Sequence, residues 1–183
     1  SNGSGKSTLL RAAAGLVPYQ AGTIEVCGSV VGRSGLDRDQ GRRVAYLPQE
    51  PTFPRSLTVS EALDYAAWLR PAECERREEV VEGLDLGPWL STPIGQLSGG
   101  LRRLALLAVA MAHGPQLCLL DECTVGVDLD HRRTLRGFLR SDPGRTVLVA
   151  SHLGEDVDHL ADRVLVLGGG RVQFDGTPEQ LAA

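Results

Sequence analysis

The chain has 183 residues, of which 42% are hydrophobic and 23% charged, and its formal net charge is -4. This length and balance suit one globular domain, and the acidic charge argues against nucleic acid as a partner. No apolar run approaches the roughly 18 residues that span a bilayer, and the sequence shows no basic-then-apolar leader. We therefore expect neither a membrane span nor secretion.

Apolar runs of strand length alternate with segments of helical period, which predicts an α/β domain with a largely parallel sheet. A helix is predicted over residues 7–14, and strands are predicted over 23–26 and 44–47. From about residue 51 the pattern changes, and no fully apolar strand occurs before residue 96. We therefore predict a helical insertion between two strands of the sheet.

Two helices are predicted within this insertion. Thr58 and Glu61 fit a capping box, and apolar residues then recur at helical spacing until Pro71 breaks the pattern. Residues 73–82 predict a second helix, which is rich in charged side chains. A third helical stripe covers residues 101–112.

The last third of the chain returns to the α/β pattern. Residues 117–120 and 146–150 are apolar without alternation, which predicts strands that are buried on both faces. The segment 163–174 contains two strand-like runs around three glycines and predicts a hairpin. A short helix from Pro178 is expected to follow it.

The first predicted helix is preceded by a glycine-rich turn, Gly3-Ser4-Gly5-Lys6-Ser7-Thr8. Glycines allow backbone N–H groups to point at a polyphosphate, and the helix N-terminus adds its dipole. Lys6 can supply positive charge to the β- and γ-phosphates, and Ser7 can offer its hydroxyl to Mg²⁺. The match to G-x-x-x-x-G-K-[ST] is partial because its first glycine would fall before Ser1. A plain turn before a helix is the alternative.

Two carboxylates, Asp121 and Glu122, follow the predicted strand at 117–120. Ligands bind at the carboxyl ends of parallel strands, so Asp121 can hold Mg²⁺ and Glu122 can orient or deprotonate an attacking water. His152 follows the strand at 146–150 and can donate to the γ-phosphate. The alternatives are a helix cap or a solvated charge for the carboxylates, and a structural role for the histidine.

A second anion site is predicted where Ser98-Gly99-Gly100 precedes a long amphipathic helix. One chain does not need two such sites for one triphosphate, whereas two chains in a head-to-tail arrangement do. We therefore predict that this segment of one chain closes over the γ-phosphate that the other chain holds.

In this order the motifs resemble those of the ATP-binding subunit of an ATP-binding-cassette (ABC) transporter, over nearly the whole chain. The resemblance implies a P-loop NTPase fold, α/β with a mostly parallel core sheet and an inserted helical subdomain. It places the ATP-binding core at 1–50 and 115–183, without the family's first strands, and the helical signature subdomain at 51–114. A fragment or a mis-assigned start is expected, because the family's phosphate loop begins before Ser1.

The resemblance also implies roles for individual residues. Gln49 resembles the Q-loop glutamine that contacts Mg²⁺ together with Ser7 and Asp121. The other assignments are Gly3 to Thr8 as the Walker A loop, Leu97 to Gly100 as the signature, Asp121 and Glu122 as the Walker B aspartate and catalytic glutamate, Asp128 as the D-loop aspartate at the dimer interface, and His152 as the switch histidine. Leu101 replaces the usual glutamine, which removes a polar contact near the γ-phosphate. Cys123 replaces the usual proline, which affects the stiffness of the loop.

The implied function is ATP hydrolysis, with ATP and Mg²⁺, that powers transport through a separate membrane permease. The phrase Tyr46-Leu47-Pro48-Gln49 looks most like exporter subunits. The implied partners are a second ATP-binding subunit and the permease, which would place a cytoplasmic protein at the inner face of the membrane. Two alternatives stay open: a soluble cassette ATPase without a permease, and an ATP-binding regulatory module without turnover. The permease, not this subunit, would choose the transported substrate.

The remaining reactive or charged residues are given ordinary roles. We predict free thiols in a reducing compartment, since the cysteines lack metal-ligand spacing; they are Cys27, Cys74, Cys118 and Cys123. His113, His131 and His159 are predicted to be structural or solvated. Arg102 and Arg103 are predicted to lie on a solvated helix face.

Overall fold

The computed structural model describes residues 3–70 and 76–183, and within them the chain forms seven strands and eight α-helices. The strands are β1 (Glu25–Val26), β2 (Ser29–Val30), β3 (Val44–Leu47), β4 (Leu117–Asp121), β5 (Thr146–Ala150), β6 (Val164–Gly168) and β7 (Arg171–Gly176). The helices are α1 (Lys6–Ala13), α2 (Arg38–Arg43), α3 (Val59–Leu69), α4 (Arg77–Gly83), α5 (Gly99–Met111), α6 (Leu129–Arg140), α7 (Gly154–Leu160) and α8 (Pro178–Ala182). In this described part, no helix has both the length and the apolar character that crossing a membrane requires.

A parallel sheet of β3, β4 and β5, with β4 in the middle, forms the centre of the fold. Leu47 lies opposite Leu120, and Asp121 lies opposite Ala150. The carboxyl ends of all three strands therefore meet at one edge, where ligands bind in parallel sheets. Two antiparallel hairpins, β1–β2 and β6–β7, pair separately from this sheet.

Strand β4 carries apolar side chains on both of its faces, because successive residues of a strand point in opposite directions. Cys118 and Leu120 belong to a larger core cluster, in which α3, α4, α5 and α6 pack together. Leu119 belongs to a smaller cluster with Leu10 of α1 and Val44 of β3. The larger cluster contains residues from both sides of the predicted subdomain boundaries, and the division at 51–114 stays a prediction.

Several predicted elements are confirmed. The helix predicted at 7–14 is α1, the strand predicted at 44–47 is β3, and the predicted hairpin is β6–β7. At the start of α3 the Thr58 side chain accepts from the Glu61 N–H, and the Glu61 carboxylate accepts from the Thr58 N–H in return. The charged helix of the insertion is α4, while Pro71 and residues 73–75 lie outside the described residues.

The prediction that residues 146–150 are buried on both faces is wrong. Thr146 and Leu148 of β5 are exposed, and only Ala150 in this strand is buried. Among the described strands β5 pairs with β4 alone, so it is an edge strand. Apolar composition does not reveal which neighbours a strand will have. The strand predicted at 23–26 is also shorter than expected, because only β1 forms there.

Three helices, α2, α6 and α7, were not anticipated. A signal for α6 is present in the sequence, because Asp128 caps it and Leu135, Phe138 and Leu139 are buried at helical spacing. Most of the remaining positions of α6 carry charged or polar side chains, which hides the narrow apolar stripe. Helix α7 has only one buried residue, Asp156, and therefore no apolar period to detect.

Candidate functional site

A cavity of about 360 Å³ opens at the carboxyl edge of the parallel sheet. Its walls come from the glycine-rich turn before α1 and from the segments that follow β3, β4 and β5. Nine of the predicted site residues line it: Gly3, Ser4, Gly5, Lys6, Ser7, Thr8, Gln49, Glu122 and His152. The fold thus brings together residues that are up to about 150 positions apart in the sequence.

The glycine-rich turn has the backbone geometry that its sequence suggests. Gly3 and Gly5 have φ angles of 80° and 97°, a region that glycine adopts most easily, and Gly5 is the N-cap of α1. No atom lies within 4 Å of a Cβ built on either glycine, so the space in front of the turn is open. The Lys6 ammonium donates to the Ser4 hydroxyl over 3.3 Å. This open turn at a helix N-terminus suits an anion.

Glu122 and His152 are in direct contact across the cavity wall. The distance from His152 Nδ1 to Glu122 Oε2 is 2.8 Å, with the carboxylate buried and the imidazole half exposed. An ionised carboxylate only accepts hydrogen bonds, so we assign the proton of this contact to Nδ1. Glu122 has a φ of 54°, which is unfavourable for a residue other than glycine. Backbone strain of this kind is common at functional sites.

Asp121 lies beside this pair, at the last position of β4, and does not itself line the cavity. Its Oδ1 atom is buried without a hydrogen-bond partner among the described residues. No group of three or more His, Cys, Asp or Glu residues in that part of the chain could hold a metal by itself. The carboxylate, hydroxyl and amide oxygens of Asp121, Ser7 and Gln49 are the type of ligand that Mg²⁺ prefers, so these residues fit an ion that is also held by phosphates.

Arg103 corrects the prediction of a solvated helix face. Its Nη1 donates to the Gln49 carbonyl, and its Nη2 donates to the carbonyls of Asp121, at 3.0 Å, and Glu122, at 2.5 Å. The side chain thus spans the segments after β3 and β4. Burial lowers the pKa of Arg103, and the nearby acidic groups act in the opposite direction. Its position on a polar face of α5 gave no sign of these contacts.

A second buried network centres on Asp156 of α7. Its carboxylate accepts from the hydroxyls of Thr124 and Ser151, each at 2.6 Å, and from Arg136 Nη2 at 3.1 Å. Thr124 follows Glu122, and Ser151 precedes His152. The network therefore fixes the two loops that carry the cavity's acid and imidazole relative to each other. No pattern in the sequence predicts this network, because a single aspartate in a polar segment has no distinguishing neighbours.

The residues of the predicted signature and D-loop lie outside the cavity. Ser98 caps α5 by accepting from the Leu101 N–H at 3.3 Å, and a Cβ on Gly100 would lie 3.3 Å from Asp128 Oδ2. Asp128 in turn accepts from the His131 N–H at 3.1 Å, and hydrogen bonds from His131 hold the pKa of Asp128 below its ordinary value. The fold thus separates Ser98, Gly99, Gly100 and Asp128 from Lys6 within one chain.

The two departures from the family pattern are both buried. Leu101 belongs to the larger core cluster, so its side chain packs inward. Cys123 is fully buried beside Glu122, and burial raises the pKa of its thiol to about 12. The thiol is therefore neutral and packs as a small apolar group. Among the described residues Cys27, Cys118 and Cys123 are free, whereas Cys74 lies outside them.

Comparison with known proteins identifies the family. Residues 1–125 match the family model of the ABC transporter, and the chain belongs to this family. It is 37% identical to Nod factor export ATP-binding protein I of Sinorhizobium fredii, over 98% of this chain and 54% of that protein. It is 33% identical to linearmycin resistance ATP-binding protein LnrL of Bacillus subtilis, over 100% of this chain and 60% of that protein. The chain thus spans little more than half the length of these relatives.

Solved structures agree with this assignment. An ATP-binding subunit of an ABC transporter superposes with a TM-score of 0.84 at 25% identity, over 99% of this chain and 77% of that one. A bacterial Atm1-family ABC exporter with ATP bound superposes with a TM-score of 0.81 at 21% identity, over 99% of this chain and 33% of that one, and shows likeness of fold alone. The predicted P-loop NTPase fold is confirmed.

Proposed function

We propose that this chain binds and hydrolyses ATP with Mg²⁺ and thereby powers export of a substrate through a separate membrane permease. The observation that carries the proposal is the shared cavity, where the residues from Gly3 to Thr8 face Gln49, Glu122 and His152. The names of the relatives, which refer to Nod factor export and linearmycin resistance, support the export direction.

The glycine-rich turn would bind the phosphates of ATP. Backbone N–H groups at the start of α1 donate to phosphate oxygens, and the helix dipole favours the negative charge. Lys6 adds a full positive charge at the β- and γ-phosphates. The open space in front of Gly3 and Gly5 lets the phosphates approach the main chain closely.

Ser7, Gln49 and Asp121 would hold Mg²⁺, Asp121 through water. When bound, Mg²⁺ neutralises charge on the β- and γ-phosphate oxygens. The unpartnered Oδ1 of Asp121 supports this assignment, because a buried carboxylate oxygen needs a donor or a cation.

Glu122 would orient the attacking water and accept its proton. His152 holds the Glu122 carboxylate through Nδ1, so the carboxylate is fixed in direction before water binds. If His152 also donates to the γ-phosphate from Nε2, the ring carries both protons and its positive charge balances the phosphate. The strained backbone at Glu122 supports this role, because strain of this kind is tolerated where a side chain must hold one defined position.

We further propose that two chains form each complete site. Ser98, Gly99 and Gly100 do not face the cavity of their own chain, but the start of α5 is open to a partner, since Ser98 and Gly99 are exposed. In a head-to-tail dimer these residues contact the γ-phosphate bound by the second ATP-binding subunit, and the exposed Asp128 lies at the interface.

A row of aromatic side chains supports a permease as the second partner. Phe53 meets Tyr65 edge-on at 6.3 Å between ring centroids, and Tyr65 stacks on Trp68 at 6.2 Å. Trp68 is 74% exposed, so it lies on the surface and not in the core. Contiguous exposed apolar groups of this kind mark interaction sites. The protein would thus be held at the inner face of the membrane.

The proposal is tested by ATP binding and hydrolysis in the full-length protein. We expect Lys6→Ala to weaken ATP binding about 10- to 100-fold, the value of a hydrogen bond to a charged group. Glu122→Gln should keep ATP binding and lower turnover about 10²- to 10⁴-fold. Glu50→Gln, which changes an exposed neighbour outside the cavity, is the matched control. Unchanged ATP affinity in Lys6→Ala would contradict the proposal.

Two further measurements test for the two proposed partners, a second ATP-binding subunit and a membrane permease. A hydrolysis rate that rises faster than linearly with protein concentration supports the dimer, whereas a linear rise argues against it. Co-purification with a membrane protein that is lost in Trp68→Ala, but kept in Trp89→Ala, supports the permease. Absence of any co-purifying membrane protein would favour a soluble cassette ATPase, and ATP binding without turnover would favour a regulatory module.

A further inference from the structure

The guanidinium group of Arg103 joins three main-chain oxygens that flank the cavity. It contacts the carbonyls of Gln49, Asp121 and Glu122 through its two terminal nitrogens. All three acceptors belong to the main chain, so the contacts fix the backbone that carries these side chains. Arg103 itself does not line the cavity and has no direct access to a nucleotide there.

These oxygens lie at positions where the backbone leaves the sheet. Gln49 comes two residues after the end of β3, and Asp121 and Glu122 form the end of β4 and the turn beyond it. Asp121 and Glu122 are buried, so their carbonyls need a new donor where the ladder ends, because an unpaired buried carbonyl is costly. In the described part of the chain, the Glu122 carbonyl accepts from only one main-chain donor, the Val125 N–H at 3.2 Å.

Arginine is suited to this task in a way that lysine is not. Its planar guanidinium presents donors in a fixed fork, whereas an ammonium is a compact charge on a flexible stem. The Nε atom of Arg103 is buried without a partner among the described residues, so the terminal nitrogens make the contacts. The neighbouring Arg102 also lies on α5 and is half-buried, but its side chain forms no hydrogen bond or ion pair in that part of the chain.

We propose that Arg103 is a positioning residue that couples the start of α5 to the main chain at Gln49 and Glu122. Helix α5 is one continuous element from Gly99 to Met111, so a displacement at Ser98 or Gly100 moves Arg103 with it. The side chains of Gln49 and Glu122 then change position together in the cavity. This inference rests on the proposed function, because it assigns a purpose to the same site.

The first test compares Arg103→Met with Arg102→Met in the full-length protein. Arg103→Met should lower kcat about tenfold or more, while ATP affinity measured without Mg²⁺ changes less than about twofold. Arg102→Met should match the wild type in both quantities. Arg103→Lys, which keeps the charge but not the fork, should give an intermediate kcat with an unchanged melting temperature.

The second test does not depend on hydrolysis. In Arg103→Met, ATP affinity without Mg²⁺ should stay constant. ATP affinity with Mg²⁺ should fall, because Gln49 is a proposed Mg²⁺ ligand, and the ratio of the two affinities should therefore fall. Arg102→Met should leave the ratio unchanged.

The outcomes separate this inference from the proposed function. The inference is overturned if Arg103→Met has the wild-type kcat and the wild-type ratio of ATP affinities with and without Mg²⁺. This outcome would leave the proposed function unaffected. Absence of hydrolysis in the wild type overturns the proposed function, and the Mg²⁺ ratio then decides the inference alone. If Arg103→Met does not fold, Arg103→Lys decides, and a wild-type kcat and ratio in that variant overturn the inference.

Discussion

At the scale of single residues, buried polar side chains carry much of the information about this site. Arg136 and Asp156 are both buried and paired, and Asp156 also accepts from Thr124 and Ser151. A buried carboxylate needs several donors, because water no longer solvates it. The loops after β4 and β5 are thus fixed by a group that does not itself face the cavity.

His113 is a buried polar residue of a different kind, because its Nε2 atom has no partner among the described residues. Burial, and then the positive charge of Arg70, lower its pKa from 6.5 to about 4. Little of this residue is accessible to solvent, so desolvation is the dominant cause. The folded protein therefore holds this imidazole in its neutral form at pH 7.

This shift predicts a loss of stability in mild acid. Between pH 6.5 and about 4 the unfolded chain binds a proton at His113 that the folded protein does not bind. The free energy of unfolding therefore falls as pH falls, by at most about 1.4 kcal/mol per pH unit from this residue. Urea unfolding at pH 7, 6 and 5 should show a weaker pH dependence in His113→Gln than in the wild type.

The control for this prediction is His159→Gln, which changes an exposed histidine on α7. Its unfolding free energy should follow the wild-type pH dependence. An identical pH dependence in wild type, His113→Gln and His159→Gln would contradict the assignment.

At the scale of elements, the contact of α4 with α6 is unusually close. A Cβ on Gly83, the last residue of α4, would lie 2.5 Å from the Phe138 ring on α6. Phe138 also contacts the Arg145 guanidinium, 5.2 Å from the ring centroid. Arg145 is itself tied to Glu79 of α4 at 2.9 Å. The ring is therefore enclosed by groups that restrict its movement.

Two glycine substitutions on these helices should have opposite effects. Gly83→Ala should destabilise the protein by about 1–3 kcal/mol, because the new methyl group displaces Phe138. Gly137→Ala on α6 should stabilise it by about 0.5–1 kcal/mol, since no atom lies within 4 Å of the added Cβ and alanine favours the helix. Urea unfolding of both variants checks this. A destabilised Gly137→Ala, or a neutral Gly83→Ala, would contradict the packing described.

At the scale of the whole molecule, β4 connects the two halves of the core. Leu119 packs in the smaller cluster with α1, and Leu120 packs in the larger one with the helices of residues 51–114. Because both side chains belong to one strand, disrupting either cluster displaces the other. The site at the end of β4 is therefore supported from both faces of the sheet.

This arrangement predicts one cooperative unfolding transition. Leu119→Ala should cost about 2–5 kcal/mol, as for other buried leucines. Trp68 and Trp89, both tryptophans of the chain, lie within residues 51–114, so fluorescence reports on the helices, while far-UV circular dichroism reports on the whole chain. The midpoints from both signals should fall together in Leu119→Ala. Separate midpoints would show that residues 51–114 unfold as an independent subdomain.

The sequence alone was sufficient to predict features that are formed by a few consecutive residues. The capping box at Thr58, the buried strand before Asp121 and the turn from Gly3 to Thr8 each occupy a few consecutive residues. Local backbone preferences and short hydrogen bonds determine such features, so their residue types reveal them. The order of these motifs along the chain was also enough to identify the family.

Only the tertiary structure decided how distant segments meet. The contacts of Arg103 with Gln49 and Glu122, and of Asp156 with Thr124, join residues that lie 19 to 54 positions apart. The exposure of β5 and the position of Ser98 outside the cavity likewise depend on which elements pack together. Such contacts arise from the packing of whole elements, and neither composition nor periodicity records which side chains a fold will bring into range.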